Sequence, residues 1–327
     1  MDFEVNKKEG YTLINVLNDR FELIILGTSS ALPTSNRYPT SQVLHVHGRF
    51  FLIDCGEGTQ TQMRKYKIGL SKINHIFITH LHGDHIFGLI GLISTMTLLG
   101  RINDLHIFAH SELQKYLSFQ LQFLYYEGIS FKIIYHPLNF KKEQKIFEDS
   151  KVIVFSFPLV HRIPTCGFRF EEKPPLPNLI AAKIEEYQIP IRDRQRIKEG
   201  EDFTTSSGQL IPHSELTINK HPARSFAFCS DTRYDESYIE SVRNVNLLYH
   251  EATFADDNSN LAKSTFHSTG KDAASVAQKA QVGKLIIGHF SARYKDHTVI
   301  LKEAQAVFPN TLAIAEGDVI RIENGQY

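Results

Sequence analysis

Cysteine is scarce in this 327-residue chain: there are three, Cys55, Cys166 and Cys229, far apart and with no Cys-x-x-Cys spacing. Three thiols cannot all pair, which excludes a disulfide scaffold and points to a reducing, cytoplasmic compartment. Long apolar runs are absent too. No stretch approaches the roughly 18 apolar residues that a membrane helix requires, and Met1 to Asn18 lacks the apolar centre of a signal peptide, so a soluble protein is expected. Net charge is missing as well, with 36 Lys+Arg against 36 Asp+Glu. A nucleic-acid partner would therefore have to be met by a local basic patch rather than by a globally basic surface. Internal repeats and low-complexity tracts are not evident.

What is present is an ordinary globular composition, 42% hydrophobic and 22% charged, enough to bury a large core. Short β-branched and apolar runs alternate with helical periodicity. Strands are expected at 21–26, 42–46, 50–53, 75–78, 105–109, 131–135, 152–157, 226–229, 247–249, 285–287 and 312–314. Helices are expected at 60–66, 87–99, 111–124, 236–242, 271–280 and 299–307. That alternation is the pattern of an α/β sandwich. One stretch breaks it: from about Glu171 to Ala223 the chain is charged and proline-rich, as in Lys173-Pro174-Pro175-Leu176-Pro177. The length of 327 fits one domain, 1–327, carrying an insertion at about 171–223.

The run His80-Leu81-His82-Gly83-Asp84-His85 places four metal-binding side chains in six residues directly behind the strand ending Ile76-Phe77-Ile78-Thr79. A mixed imidazole and carboxylate set suits zinc first and manganese second, whereas magnesium or calcium would call for oxygen donors. A buried group of this kind without a metal would be costly. Extended spacing puts His80 and His82 on one side, and Gly83 is expected to bend the chain so that Asp84 and His85 reach a second point. Further candidate ligands follow later strands: His161, Asp231 and His289. A carboxylate has two oxygens, so Asp231 is the natural bridge. One ion is assigned His80, His82, His161 and Asp231; the other is assigned Asp84, His85, Asp231 and His289.

More of the chain carries a narrower likeness. Phe21-Glu22-Leu23-Ile24-Ile25-Leu26-Gly27-Thr28, Phe51-Leu52-Ile53-Asp54-Cys55-Gly56-Glu57-Gly58-Thr59-Gln60, Phe228-Cys229-Ser230-Asp231-Thr232-Arg233, His250-Glu251-Ala252-Thr253-Phe254, His267-Ser268-Thr269 and His289-Phe290-Ser291-Ala292-Arg293-Tyr294 occur in that order. With the histidine-aspartate cluster they resemble the metallo-β-lactamase superfamily, and within it the ribonuclease Z family of transfer-RNA 3′-processing endonucleases. The His-Glu-Ala-Thr and Ser-Ala-Arg-Tyr strings discriminate, because the cluster alone would name only the superfamily. The resemblance spans roughly 21–322. It implies a four-layer αβ/βα sandwich, two zinc ions per subunit with manganese as the substitute, precursor transfer RNA as substrate, and a homodimer in which an arm from one subunit clamps the RNA cut by the other. It implies the same seven ligands, with Asp84 as proton acceptor and His267 with Glu251 as the proton-donating pair. His250 is expected to be structural.

Two departures from the family pattern concern substrate. The loop that in many members reads Pro-x-Lys-x-Arg-Asn is here Pro33-Thr34-Ser35-Asn36-Arg37-Tyr38, keeping proline and arginine but not lysine or asparagine. The arm lacks the family's Gly-Pro step, yet Arg192, Arg194, Arg196 and Lys198 stand against one acid, Asp193, and form the local basic patch that a neutral chain needs. RNA contacts are expected there and at Arg37 and Arg293. Two other functions fit parts of the pattern: a hydrolase of a small substrate such as a cyclic nucleotide, aryl sulfate or lactone, and a non-catalytic RNA-binding subunit. The arm argues against the first and the full ligand set against the second.

Overall fold

The computed structural model describes residues 20–125, 128–174, 176–219 and 222–323, so the segment Met1 to Asn18 lies outside the described residues. Two seven-stranded sheets carry the chain. The first contains Phe21–Gly27 (β1), Ser41–Val46 (β2), Arg49–Ile53 (β3), Ile73–Phe77 (β4), Leu105–Ala109 (β5) and Ile133–Pro137 (β6). The second contains Gln144–Glu148 (β7), Val152–Leu159 (β8), Thr165–Glu172 (β9), Ser225–Cys229 (β10), Leu247–Glu251 (β11), Lys284–Gly288 (β12) and Thr311–Ala313 (β13). Val319–Arg321 (β14) returns to the first sheet beside β1. Each sheet is half antiparallel and half parallel: β3 to β6 run parallel in one, β10 to β13 in the other.

Alternation along each strand sorts side chains into layers. From β1, Phe21, Leu23 and Ile25 enter the cluster between the sheets, where Phe51, Phe77 and Phe108 meet Phe168, Phe170, Phe226, Phe228 and Tyr249. Leu26 faces the other way, joining Val43, Leu52, Ile76 and Ile107 under the helices Gly88–Leu98 and Glu112–Leu124. On the far side of the second sheet, Ala227, Leu248, Leu285 and Ile287 pack against Ala273, Ala277, Ile300 and Ala304 from the helices Gly270–Lys279 and Thr298–Val307. The result is helix, sheet, sheet, helix.

The expected strands are all present within a few residues, and three further strands of the two large sheets, β7, β9 and β14, were not anticipated. In β9, Cys166, Phe168 and Phe170 alternate correctly, but the strand runs straight into the charged insertion, which hid its end. The helix expected at 236–242 is instead two short 3₁₀ turns, Glu236–Tyr238 and Glu240–Val242. The insertion forms a compact unit of its own, 172–223. It contains the helices Ala181–Glu186, Ile191–Lys198 and His213–Leu216, two minimal strand pairs, and a small core of Ile189, Ile197, Phe203, Ile211 and Leu216.

Candidate metal centre

Every candidate ligand stands just past the C-terminal end of a strand: His80 to His85 after β4, His161 after β8, Asp231 after β10 and His289 after β12. Leaving a strand at a sharp angle calls for unusual backbone. Asp231 (φ 50°) and His289 (φ 59°) both adopt left-handed conformation, as does Asp54 (φ 54°) at the end of β3. Each such residue costs of order 1–3 kcal/mol, strain that persists where the surroundings enforce a functional geometry. After His82 the chain enters a helical turn, Gly83–Ile86. The chain bends at Gly83 and carries Asp84 and His85 to a second point, without a positive φ at the glycine. A Cβ at Gly83 would lie 2.2 Å from the Phe87 ring, so the glycine makes room for that ring.

The seven predicted ligands come together. Donor atoms of His80, His82, His161 and Asp231 form one group and those of Asp84, His85 and His289 a second, each within 4.8 Å. His82 Nδ1 lies 2.9 Å from His80 Nε2 and 3.3 Å from His161 Nε2. Three imidazole nitrogens so close together have too few protons to satisfy one another, and about 3.3 Å is the ligand spacing around a tetrahedral ion with bonds of about 2.0 Å. Asp231 faces both groups: Oδ2 lies 3.5 Å from His80 and 3.6 Å from His161, while Oδ1 lies 3.2 Å from His85 and 3.1 Å from His289. His85 Nε2 and His289 Nε2 are buried with no hydrogen-bond partner. Orphaned buried nitrogens beside a carboxylate are what a cation would satisfy, so the residues fit a pair of metal ions.

The ring orientations are fixed from behind. His85 Nδ1 donates to Asp54 Oδ2 at 2.7 Å, and Asp54 also accepts from the Thr79 backbone N–H at 2.9 Å. His161 Nδ1 donates to the Phe266 carbonyl at 2.9 Å; Thr253 Oγ1 lies 3.0 Å from His289 Nδ1, and Thr79 Oγ1 lies 3.0 Å from His80 Nδ1. Each contact holds the remaining nitrogen toward the centre. Asp54, Thr79 and Thr253 were not singled out in the sequence, although Asp54 and Thr253 lie inside quoted motifs. Burial by itself would raise the carboxyls of Asp84 and Asp231, but the facing imidazoles outweigh it and hold both below the usual range. Burial also holds the His80 imidazole well below its ordinary value, which leaves it neutral and able to donate a lone pair.

Glu251 is fully buried and accepts from His267 Nδ1 at 2.8 Å and from the Thr232 backbone N–H at 2.9 Å. Burial opposes the His267 cation, yet Glu251, Asp231 and Asp84 prevail and push its pKa up to about 9. His267 also converges with Asp231 and His289 as a third donor group. A protonated ring has no lone pair for a metal, so its pairing with Glu251 favours a proton-holding role. His250 is buried against Tyr238 Oη and the Glu251 carbonyl, as befits a structural histidine.

A cavity of about 600 Å³ opens over these residues, lined among others by Asp84, His161, Asp231, His267 and His289. Arg162 is the sole arginine or lysine among the lining residues described. Arg37 is half-buried and donates to the carbonyls of Ser291 (3.2 Å) and Tyr294 (2.9 Å), pinning the loop that carries exposed Arg293. Within the inserted unit, Arg192 is exposed, Arg194 Nε reaches the Ile189 carbonyl, Arg196 pairs with Glu201 and Lys198 is half-buried.

Comparison with known proteins follows the same line. A sequence profile for the Anti-Pycsar protein Apyc1 family matches residues 21–173. Ribonuclease Z of Phocaeicola vulgatus is 46% identical over 94% of this chain and 99% of the relative, and ribonuclease Z of Bacteroides thetaiotaomicron is 46% identical over 94% and 96%. Among solved structures, the short form of human tRNase Z superposes with a TM-score of 0.68 at 26% identity, covering 92% of this chain and 99% of that one. The metallo-β-lactamase fold protein YhfI of Bacillus subtilis, at 19% identity, a TM-score of 0.65, and 93% and 100% coverage, shares the fold. With this degree of identity over nearly its whole length, the chain belongs to the ribonuclease Z family.

Proposed function

We propose that this protein is a metal-dependent endoribonuclease that removes 3′ trailers from precursor transfer RNA. The observation that carries the reading is the double donor set bridged by Asp231, in a chain 46% identical to a ribonuclease Z over 94% of its length. His80, His82, His161 and Asp231 would hold one zinc ion, and Asp84, His85, Asp231 and His289 the other, with manganese as the substitute. Such ions supply Lewis acidity toward phosphodiester oxygens and bring the pKa of water toward neutrality. Asp84, kept ionised by the imidazoles around it and fixed by the Ala31 backbone N–H at 2.8 Å, orients the attacking water and accepts its proton. His267 donates a proton to the leaving oxygen, with Glu251 fixing the tautomer and favouring the charged ring.

RNA contacts are assigned to Arg192, Arg194, Arg196 and Lys198 of the inserted unit and to Arg293, with Arg37 holding the Arg293 loop in place. Homodimer formation is supported by exposed apolar residues at Leu98, Leu99, Ile102, Phe119, Phe123 and Leu124, which a monomer would leave in water. A cytoplasmic location accords with three buried, unpaired thiols. No helix among the described residues is long and apolar enough to cross a membrane.

The test is to incubate the purified protein with a 3′-extended precursor transfer RNA and map the product end. Cleavage at the trailer boundary is expected, and Asp84→Ala should abolish it while leaving the circular dichroism spectrum unchanged. A wild-type protein that ignores the precursor but hydrolyses cyclic nucleotides, aryl sulfates or lactones would replace this reading with the small-substrate one. Inertness toward every substrate with RNA binding retained would point to the non-catalytic subunit.

A further inference from the structure

Phe87 has no evident task in the fold. It follows the helical turn that carries Asp84 and His85, lines the cavity over the metal centre, and leaves 59% of its surface exposed. A phenyl ring buried in a core contributes through lost water contact; one left this open at a cavity mouth contributes little. Its position is nevertheless defined. The Phe87 backbone N–H donates to the Gly83 carbonyl at 2.9 Å, its backbone is helical (φ −65°, ψ −20°), and ring atoms Cε2, Cζ and Cδ2 lie where a Cβ on Gly83 would be. One part of the ring rests on bare backbone and the rest is open. Arg162, immediately after His161, lines the same cavity. It is exposed, makes one hydrogen bond, to the Ser264 carbonyl at 3.0 Å, and takes part in no ion pair among the described residues. The other charged groups lining the cavity include Glu57, Asp84, Asp231 and the His267 ring paired with Glu251, so Arg162 is the one arginine or lysine among the lining residues described that is open to a phosphate.

We propose that Phe87 and Arg162 form a nucleotide subsite beside the metal centre, in which the Phe87 ring stacks on the base next to the scissile phosphate and Arg162 takes the adjoining phosphate. This rests on the ribonuclease reading above. An aromatic face accepts any base without reading its edge, and a guanidinium matches the two oxygens of a phosphate. A cavity of this size takes one nucleotide.

The chain has no tryptophan, so Phe87→Trp introduces a single indole reporter at the site. Its emission should be quenched on titration with a short single-stranded RNA bearing phosphorothioate linkages, and an RNA abasic at the position beside the cut should restore most of it. Phe87→Ala should raise KM for the precursor about ten-fold with kcat little changed, a change within the range seen for loss of one stacked base. Phe87→Tyr should rescue it and Phe87→Leu should not. Arg162→Ala should raise KM and flatten the salt dependence by about one phosphate contact. Equal quenching by abasic RNA, or rescue by leucine, would overturn the stacking assignment, and an unchanged salt slope would overturn that of Arg162. Failure of the wild-type protein to cleave the precursor would instead strike the parent reading, because the fluorescence titration requires no turnover.

Discussion

Among single residues, Asp54 shows how much of a metal site is built from behind. It touches no cation position, yet its carboxylate fixes the His85 tautomer and ties β3 to Thr79 at the start of the ligand loop. Asp54→Asn would present an amide N–H₂ to His85 Nδ1 and push the proton toward Nε2, where a lone pair is needed. A ten- to hundred-fold loss of metal affinity is expected, of the order seen for such supporting groups, with the fold intact. Metal content after dialysis against a graded chelator would measure it, and an unchanged content would refute the role. The sequence marked the ligands because histidine and aspartate at this spacing have few other reasons to gather. It did not mark Asp54, Thr79 or Thr253, because a carboxylate or hydroxyl at a strand end is common and only proximity gives it a task.

Secondary-structure elements set the precision with which those residues meet. The helix Gly270–Lys279 begins three residues after His267 and opens with a capping box: Thr269 Oγ1 accepts from the Asp272 N–H at 3.1 Å, and Asp272 accepts from the Thr269 N–H at 2.9 Å. Thr269→Ala should cost about 1 kcal/mol, read from the urea midpoint. On β4, His75 stacks on His106, which lies 2.9 Å from His136 on the next strand but one. Burial, with smaller contributions from His106, His136 and Arg101 against Asp149, holds the His75 pKa down to about 4. The unfolded chain, with an ordinary value near 6.5, takes up the proton first, so stability should fall as pH drops from about 6.5 toward 4. Thermal melts across that window should show a shallower decline for His75→Phe, and an identical decline would exclude His75 as the source. Helix and strand periods were legible in most elements because each buries one face. Strand β9 and the two 3₁₀ turns at 236–242 were not, since their ends depend on neighbours rather than on local pattern.

For the whole molecule, the separation of a catalytic body from the compact unit 172–223 predicts separable effects. Replacing Arg192, Arg194 and Arg196 together by alanine should weaken precursor binding, with the loss reduced at low salt, while hydrolysis of bis(p-nitrophenyl) phosphate stays within about two-fold, because phosphate contacts position RNA without taking part in the reaction. Equal losses on both substrates would remove the unit from RNA binding. By itself the sequence determined the α/β class, the seven candidate ligands that gather in the fold and the charged stretch that interrupts it, since these rest on local periodicity and on residue types whose burial demands a partner. Only the tertiary structure decided which nitrogen of each ring faces the centre and that Asp231 turns one oxygen to each donor group. It likewise decided that Gly83 is bare to seat Phe87 and that Arg162 overlooks the cavity. Those facts depend on strand ends brought together from across two sheets, and no local pattern in the chain encodes a distance between residues so far apart.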